Sequence, residues 1–101
     1  MEQAFEFQFE WDRAKARQNW KKHGVTFERA RTVFLDRHAM SKYDGEHSRR
    51  EDRWITSGLD RTGALLVVCH TYLEVSSAAA KIRIISARKA THSEAELYER
   101  G

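Results

Sequence analysis

The chain runs to 101 residues, 41% of them hydrophobic and 33% charged, with 18 Lys and Arg against 15 Asp and Glu for a net charge of +3. That is the size of a single domain over residues 1–101, too apolar for disorder along its whole length, with no apolar run near the roughly 20 residues of a membrane span. Residues 1–10 carry acids and no base, which reads as neither secretory signal nor transit peptide, and Cys69 alone cannot close an internal disulfide, so a soluble cytoplasmic protein is expected.

Phe5, Phe7, Phe9 and Trp11 alternate with Glu6, Gln8 and Glu10, a period of two that predicts a strand with one aromatic, buried face. Asp12 then suits a helix N-cap, and Gly24 a left-handed stop after His23. On that helix Ala16, Asn19, Trp20 and His23 share a face, and Trp20 is expected to supply most of its burial. Thr26 can cap a second helix whose inward stripe is Phe27, Ala30, Val33 and Phe34, so the two helices form a tight hairpin.

Residues 38–43 suggest a short strand, and 44–51 (DGEHSRRE) a polar loop. Stronger strands are expected at about 52–59, 64–73 and 81–88, the first two joined through the turn Asp60-Arg61-Thr62-Gly63. Leu65-Leu66-Val67-Val68-Cys69 is apolar on both faces, as in a central strand covered on both sides. Thr91-His92-Ser93-Glu94 fits a capping box and opens a short C-terminal helix. The predicted fold class is α+β: an antiparallel-rich sheet packed against an N-terminal helical hairpin, closed by a short helix.

Charge is segregated along the chain. Residues 13–23 bring Arg13, Lys15, Arg17, Lys21, Lys22 and His23 without an acid, and residues 81–92 bring Lys81, Arg83, Arg88, Lys89 and His92, again without one. Two such segments focus a positive field if they meet in space; otherwise they are solvated faces neutralised by their neighbours.

Several chemistries lack their residues. No glycine-rich phosphate loop follows a strand, and the five histidines show neither zinc-protease spacing nor a cysteine framework, so no metal and no cofactor is expected. Cys69 lies in an apolar strand and reads as an inert thiol. The remaining basic side chains, histidines and glutamates suit metal-free RNA cleavage, in which the substrate's 2′-hydroxyl attacks the adjacent phosphate. Arginine stabilises the charge added at phosphorus through its planar fork, and histidine, glutamate or a lysine of depressed pKa moves the protons.

The sharpest candidates lie in the last strand. Alternation sends Ile82 and Ile84 one way and Arg83, Ile85 and Ala87 the other, so Arg83 either serves a site or is paired with Glu10, Asp12 or Glu94. Arg88, at the strand's end, is a second candidate or a plain surface charge. His70 is a catalytic or a structural strand histidine, and His23 a site residue or a helix C-terminal cation. Lys21 and Lys22 are phosphate anchors or solvated lysines. Trp11, Trp20 and Trp54 are assigned to packing rather than base stacking.

Taken together, Phe9-Glu10-Trp11-Asp12 with Ala14 and Lys15, Asn19, the run Lys22-His23-Gly24-Val25-Thr26-Phe27, Ala30, and Thr32-Val33-Phe34-Leu35-Asp36 resemble the BrnT family of bacterial type II toxins. Arg53-Trp54, Leu66-Val67-Val68, His70-Thr71 and Arg83-Ile84-Ile85-Ser86-Ala87-Arg88-Lys89-Ala90 extend the likeness, which covers residues 7–100 in order. The resemblance implies a RelE-like fold, a metal-independent endoribonuclease that slows growth, and neutralisation by a BrnA-type ribbon-helix-helix antitoxin that binds operator DNA. It implies functional roles for Lys22, His23, Arg83, Ser86 and Arg88, joined by His70. Arg83, Arg88, Lys22 and His70 are assigned to catalysis, and His23 and Ser86, with Lys21 and Lys89 from the basic segments, to substrate binding. Tyr98 is a loose match to a C-terminal tyrosine used by RelE-like toxins. The stretch 74–80 (EVSSAAA) departs from the family pattern, where a shorter polar turn is expected. The alternative function is a non-catalytic RNA-binding or antitoxin-binding module.

Overall fold

A computed structural model describes residues 4–101; Glu2, one of the acids ahead of the first helix, lies outside them. The elements in chain order are β1 (Glu6–Glu10), α1 (Arg13–His23), α2 (Phe27–Arg31), a 3-10 segment Thr32–Leu35, β2 (Met40–Tyr43), a 3-10 turn Gly45–His47, β3 (Arg53–Leu59), β4 (Leu65–Thr71), β5 (Leu73–Ser76), β6 (Ala79–Lys89) and α3 (His92–Arg100). The sheet order is β1-β6-β4-β3-β2, with β5 also on β6. Only the β1–β6 pairing is parallel. No helix of the described residues is long and apolar enough to cross a membrane.

Local chemistry sets the helix ends. Asp12 accepts from the Ala14 N–H, Thr26 from the Arg29 N–H, and Thr91 and Glu94 close a reciprocal capping box. Gly24 stops α1 in the left-handed region at φ 67°, where a Cβ would be strained. At Gly58 the reason is space. A Cβ there would sit 2.8 Å from Val33 Cγ1, so the bare backbone lets the 3-10 segment press onto β3.

The core lies between the sheet and the first two helices: Val25, Phe27, Ala30, Val33, Leu66, Val68, Ile82, Ile84 and Ala87 are buried together. Burying each large aliphatic or aromatic side chain contributes roughly 1.5–3 kcal/mol. Phe7, Phe9, Trp11 and Phe34 pack on the edge of this cluster, so the aromatic face of β1 turns inward as its alternation predicts.

The stretch 74–80, which departs from the family pattern, is a β-hairpin in which β5 and the start of β6 pair directly. Two expectations need correction. Trp20 is 56% exposed, and the inward residue of α1 is its neighbour Asn19. Ala87 belongs to the core rather than to the face that carries Arg83.

Asp60 ties the β3–β4 turn to α2. Its Oδ1 accepts from the Thr62 N–H and hydroxyl and from the Ala64 N–H, and its Oδ2 from Arg29 Nε at 2.8 Å. Burial alone would raise its pKa, but these donors outweigh burial and lower it. Asp60→Ala leaves the turn amides and Arg29 without their acceptor and is expected to cost about 3 kcal/mol in urea unfolding. A loss below about 1 kcal/mol would contradict this role.

Candidate functional site

The site grows from an irregularity in β6. Its pairing with β4 runs from Leu66↔Lys89 to Cys69↔Ser86 and resumes at His70↔Ile84, so Ile85 is an extra residue. Side chains alternate along a strand, and one inserted residue reverses the alternation beyond it. Ile82, Ile84 and Ala87 therefore all face the core, whereas Arg83, Ser86 and Arg88 share the opposite face; Ser86 and Arg88 pair with Cys69 and Val67 on β4, and the Arg83 N–H donates to the Thr71 hydroxyl. Without the bulge, Ser86 and Arg88 would face the core with Ile84.

Beyond Arg83 the β1 side of β6 has no strand partner, because β1 ends at Glu10. Asn19 takes that place. Its Nδ2 donates to the Val25 and Ala87 carbonyls at 2.9 and 2.8 Å, and its Oδ1 accepts from the Ala87 N–H at 3.0 Å. This buried amide clamps the C-terminal half of α1 onto the bulged end of β6. The expected face-mate of Trp20 thus carries the contact, a role its polar side chain did not announce.

The clamp creates a shallow pocket of about 240 Å³ lined by Lys15, Gln18, Asn19, Lys22, His23, Ile85 and Ser86. It holds two lysines and a histidine and no acid. The structure thus brings Lys22, His23 and Ser86 together, and adds Lys15. Lys21 and Lys89 are exposed and do not line it.

Arg83 opens on an adjoining cleft of about 340 Å³, lined also by Glu10, Glu51, Asp52, Thr71, Tyr72, Leu73 and Lys81. Arg83 Nη2 bonds Glu51 Oε1, an ion pair with a partner other than the three acids anticipated; the Arg83 side chain stays 39% exposed. Arg53 Nη2 approaches the same Glu51 oxygen at 3.7 Å, and Arg53 Nε is buried without an acceptor among the described residues. Arg83 to Ser86 spans about 10 Å of strand at roughly 3.3 Å per residue, so the two hollows are neighbours.

Arg88 is more fully engaged. Both its terminal nitrogens bond the Glu94 carboxylate at 2.7 and 2.9 Å. This forked bond, helped by the Thr91 N–H, brings Glu94 down to about 2 against the ordinary 4.5. At its far end α3 is held by the Tyr98 hydroxyl, which donates to Asp36 Oδ2 at 2.6 Å; Tyr98 is spent on that contact.

His70 stands apart. It is 2% exposed on the core side of β4, edge-on to Phe34. Its Nδ1 meets the Thr71 carbonyl at 2.9 Å, and a carbonyl only accepts, so Nδ1 carries the proton. Nε2 then accepts from the Thr56 hydroxyl at 2.6 Å, and Thr56 is in turn bonded to Ser41. Burial lowers its pKa and keeps the ring neutral. Both nitrogens are committed on the far face from Arg83, so the structure does not bring His70 together with the other expected catalytic groups. Among the described residues no three His, Cys, Asp or Glu side chains gather as a metal-binding group.

Asn19→Ala would strand the Ala87 amide and two carbonyls and is expected to cost about 2–4 kcal/mol, read by chemical denaturation. A cost under about 1 kcal/mol would mean that the clamp does not hold α1. Glu94 titrates lower folded than unfolded, so its stabilising contribution is complete above pH 4.5 and fades as pH falls toward 2. Loosening of the N-terminal turn of α3, followed by amide exchange, should track that window in the parent chain and weaken in Glu94→Gln, where Asp36 still titrates at the far end of the helix. Equal pH dependence in both would remove the Arg88–Glu94 pair as its cause.

A family model described as the ribonuclease toxin BrnT of type II toxin–antitoxin systems matches residues 11–94. That span contains the Asn19 clamp, the two arginine–glutamate pairs and every lining residue of the two hollows except Glu10. No curated protein sequence is close enough to count as a match. Among solved structures the chain is similar to the Brucella abortus ribonuclease toxin BrnT, at 21% identity and a TM-score of 0.56, over 86% of this chain and 100% of that one. The fold is the same mixed α+β arrangement, and on the family match the chain belongs to the BrnT ribonuclease toxins of type II toxin–antitoxin systems.

Proposed function

We propose that this single-domain protein is a cytoplasmic, metal-independent endoribonuclease toxin with a RelE-like fold. It cuts RNA by attack of the 2′-hydroxyl on its own phosphate and is restrained by a BrnA-like ribbon-helix-helix antitoxin that also carries it to operator DNA. The observation that supports this most is the acid-free pocket of Lys15, Lys22, His23 and Ser86 beside the half-exposed Arg83. One strand of RNA can lay successive phosphates into the two hollows.

Lys22 anchors the backbone, with His23 and Ser86 as further donors. Arg83 meets the scissile phosphate, exchanging or sharing its Glu51 contact, and stabilises the charge that builds on the phosphate oxygens. Arg88 acts from the same face once a phosphate competes with Glu94 for its fork. Lys21 and Lys89 add a sequence-independent field at the rim. With His70 bonded on the core face, the expected set leaves Lys22 and His23 for the 2′-proton, and neither lines the Arg83 cleft.

A second reading, a non-catalytic RNA-binding or antitoxin-binding module, is favoured by one observation: both arginines already have carboxylate partners. Incubation of the purified protein with RNA in EDTA separates the two. The nuclease leaves 2′,3′-cyclic phosphate ends, and Arg83→Ala cuts about 10²–10³-fold more slowly and no longer arrests growth. Intact RNA in a retarded complex would favour the binding module, and unchanged cleavage by Arg83→Ala would take Arg83 out of the site.

A further inference from the structure

The cleft beside Arg83 holds its own candidate for the 2′-hydroxyl proton. We infer that Glu51 is the general base that accepts the 2′-hydroxyl proton, with Lys81 as the acid for the leaving oxygen; this rests on the nuclease reading above.

Glu51 lies where the polar 44–51 stretch meets β3, and its carboxylate is reachable from solvent, with 38% of the side chain exposed. Both cationic contacts fall on Oε1: Arg83 Nη2 bonds it and Arg53 Nη2 stands 3.7 Å away. No described residue hydrogen-bonds Oε2. One oxygen is thus fixed by guanidinium groups and the other is left without a donor, on a residue that lines the cleft of about 340 Å³ with Arg83. Glu10 and Asp52 line the same cleft, but Asp52 is engaged by the Tyr43 hydroxyl at 3.0 Å, and Glu10 has no ion pair with Arg83. Among these acids only Glu51 touches the guanidinium proposed to hold the phosphate. A general base must come within hydrogen-bond reach of its proton, and a phosphate on Arg83 brings the neighbouring 2′-hydroxyl to the carboxylate beside it.

In the step itself, Oε2 of Glu51 takes the 2′-proton as the 2′-oxygen bonds to phosphorus. The bond from phosphorus to the 5′-oxygen breaks, its electron pair stays on that oxygen, and the exposed Lys81 ammonium in the same cleft protonates it. The products are a 2′,3′-cyclic phosphate and a 5′-hydroxyl; solvent then takes the proton from Glu51 and returns one to Lys81. No electron is gained or lost overall.

The test uses the full chain and a short single-stranded RNA in EDTA across pH 4–8, with the 2′-O-methyl form of the same oligonucleotide as an uncleavable binding probe. Glu51→Gln is expected to lower kcat by about 10²–10⁴-fold. It should also lose the acid limb of the pH–rate profile while binding the probe at least as tightly as the parent. Glu51→Asp should keep the acid limb at reduced kcat, and it carries the test if the Gln variant unfolds.

A Glu51→Gln enzyme with parental kcat and an intact acid limb, or one faster because Arg83 has been released, would overturn the proposal and leave the nuclease reading standing. A parent chain that fails to cut RNA at all would remove both. If both variants fold and lose probe affinity in step with kcat, Glu51 only shapes the cleft, and the proposal falls.

Discussion

The extra residue in β6 is the constraint on which the functional surface depends. A regular strand would send Arg83 to one side and Ser86 and Arg88 to the other, two of the three into the core. The bulge at Ile85 puts all three on one face while Ile82, Ile84 and Ala87 stay with the helices. Where β1 stops at Glu10 the opposite edge of β6 is left unpaired, and the Asn19 side chain takes that place through the Ala87 N–H and carbonyl. The same amide draws Lys15, Lys22 and His23 up to that edge. Strand irregularity, buried amide and basic pocket are one arrangement.

The cations of this face are held in check by carboxylates, and unequally. Arg88 gives its whole fork to Glu94, a bond strong enough to bring that acid to about 2, whereas Arg83 uses one nitrogen on Glu51 and stays open to the cleft. A phosphate arriving at Arg83 meets unspent donors; one arriving at Arg88 must displace a chelating carboxylate. The difference ranks Arg83 first for phosphate charge and ties Arg88 to the placement of α3. Partnered charges are also what a marginally stable domain with a small core requires, since an unpaired guanidinium in a half-buried strand is costly.

Much of this fold was legible because its signals are local. The aromatic alternation of β1, the caps at Asp12, Thr26 and Thr91, the stop at Gly24 and the strands around Leu66 and Ile84 follow from backbone geometry and burial over a few residues. What escaped depends on distant partners. Helical periodicity places Asn19 and Trp20 side by side and cannot tell that β6 would leave an unpaired edge for the amide, so the larger apolar ring was expected inside. Strict alternation misassigned Ala87, since nothing in Ile84-Ile85-Ser86 marks a bulge. Lys22, His23 and Ser86 meet at one pocket, which no local signal shows, and Glu51 lies in a polar loop 32 residues from the arginine it holds.

The central claim is that α1 and β6 present one continuous surface to RNA, and amide chemical shifts test it most directly. Titration of the isotope-labelled protein with a 2′-O-methyl oligonucleotide should perturb Lys15, Lys22, His23, Arg83, Ile85 and Ser86 together, with one affinity, and leave the His70–Thr56 side of the sheet unmoved. Perturbations confined to a single hollow, or centred on the face that carries His70, would contradict it.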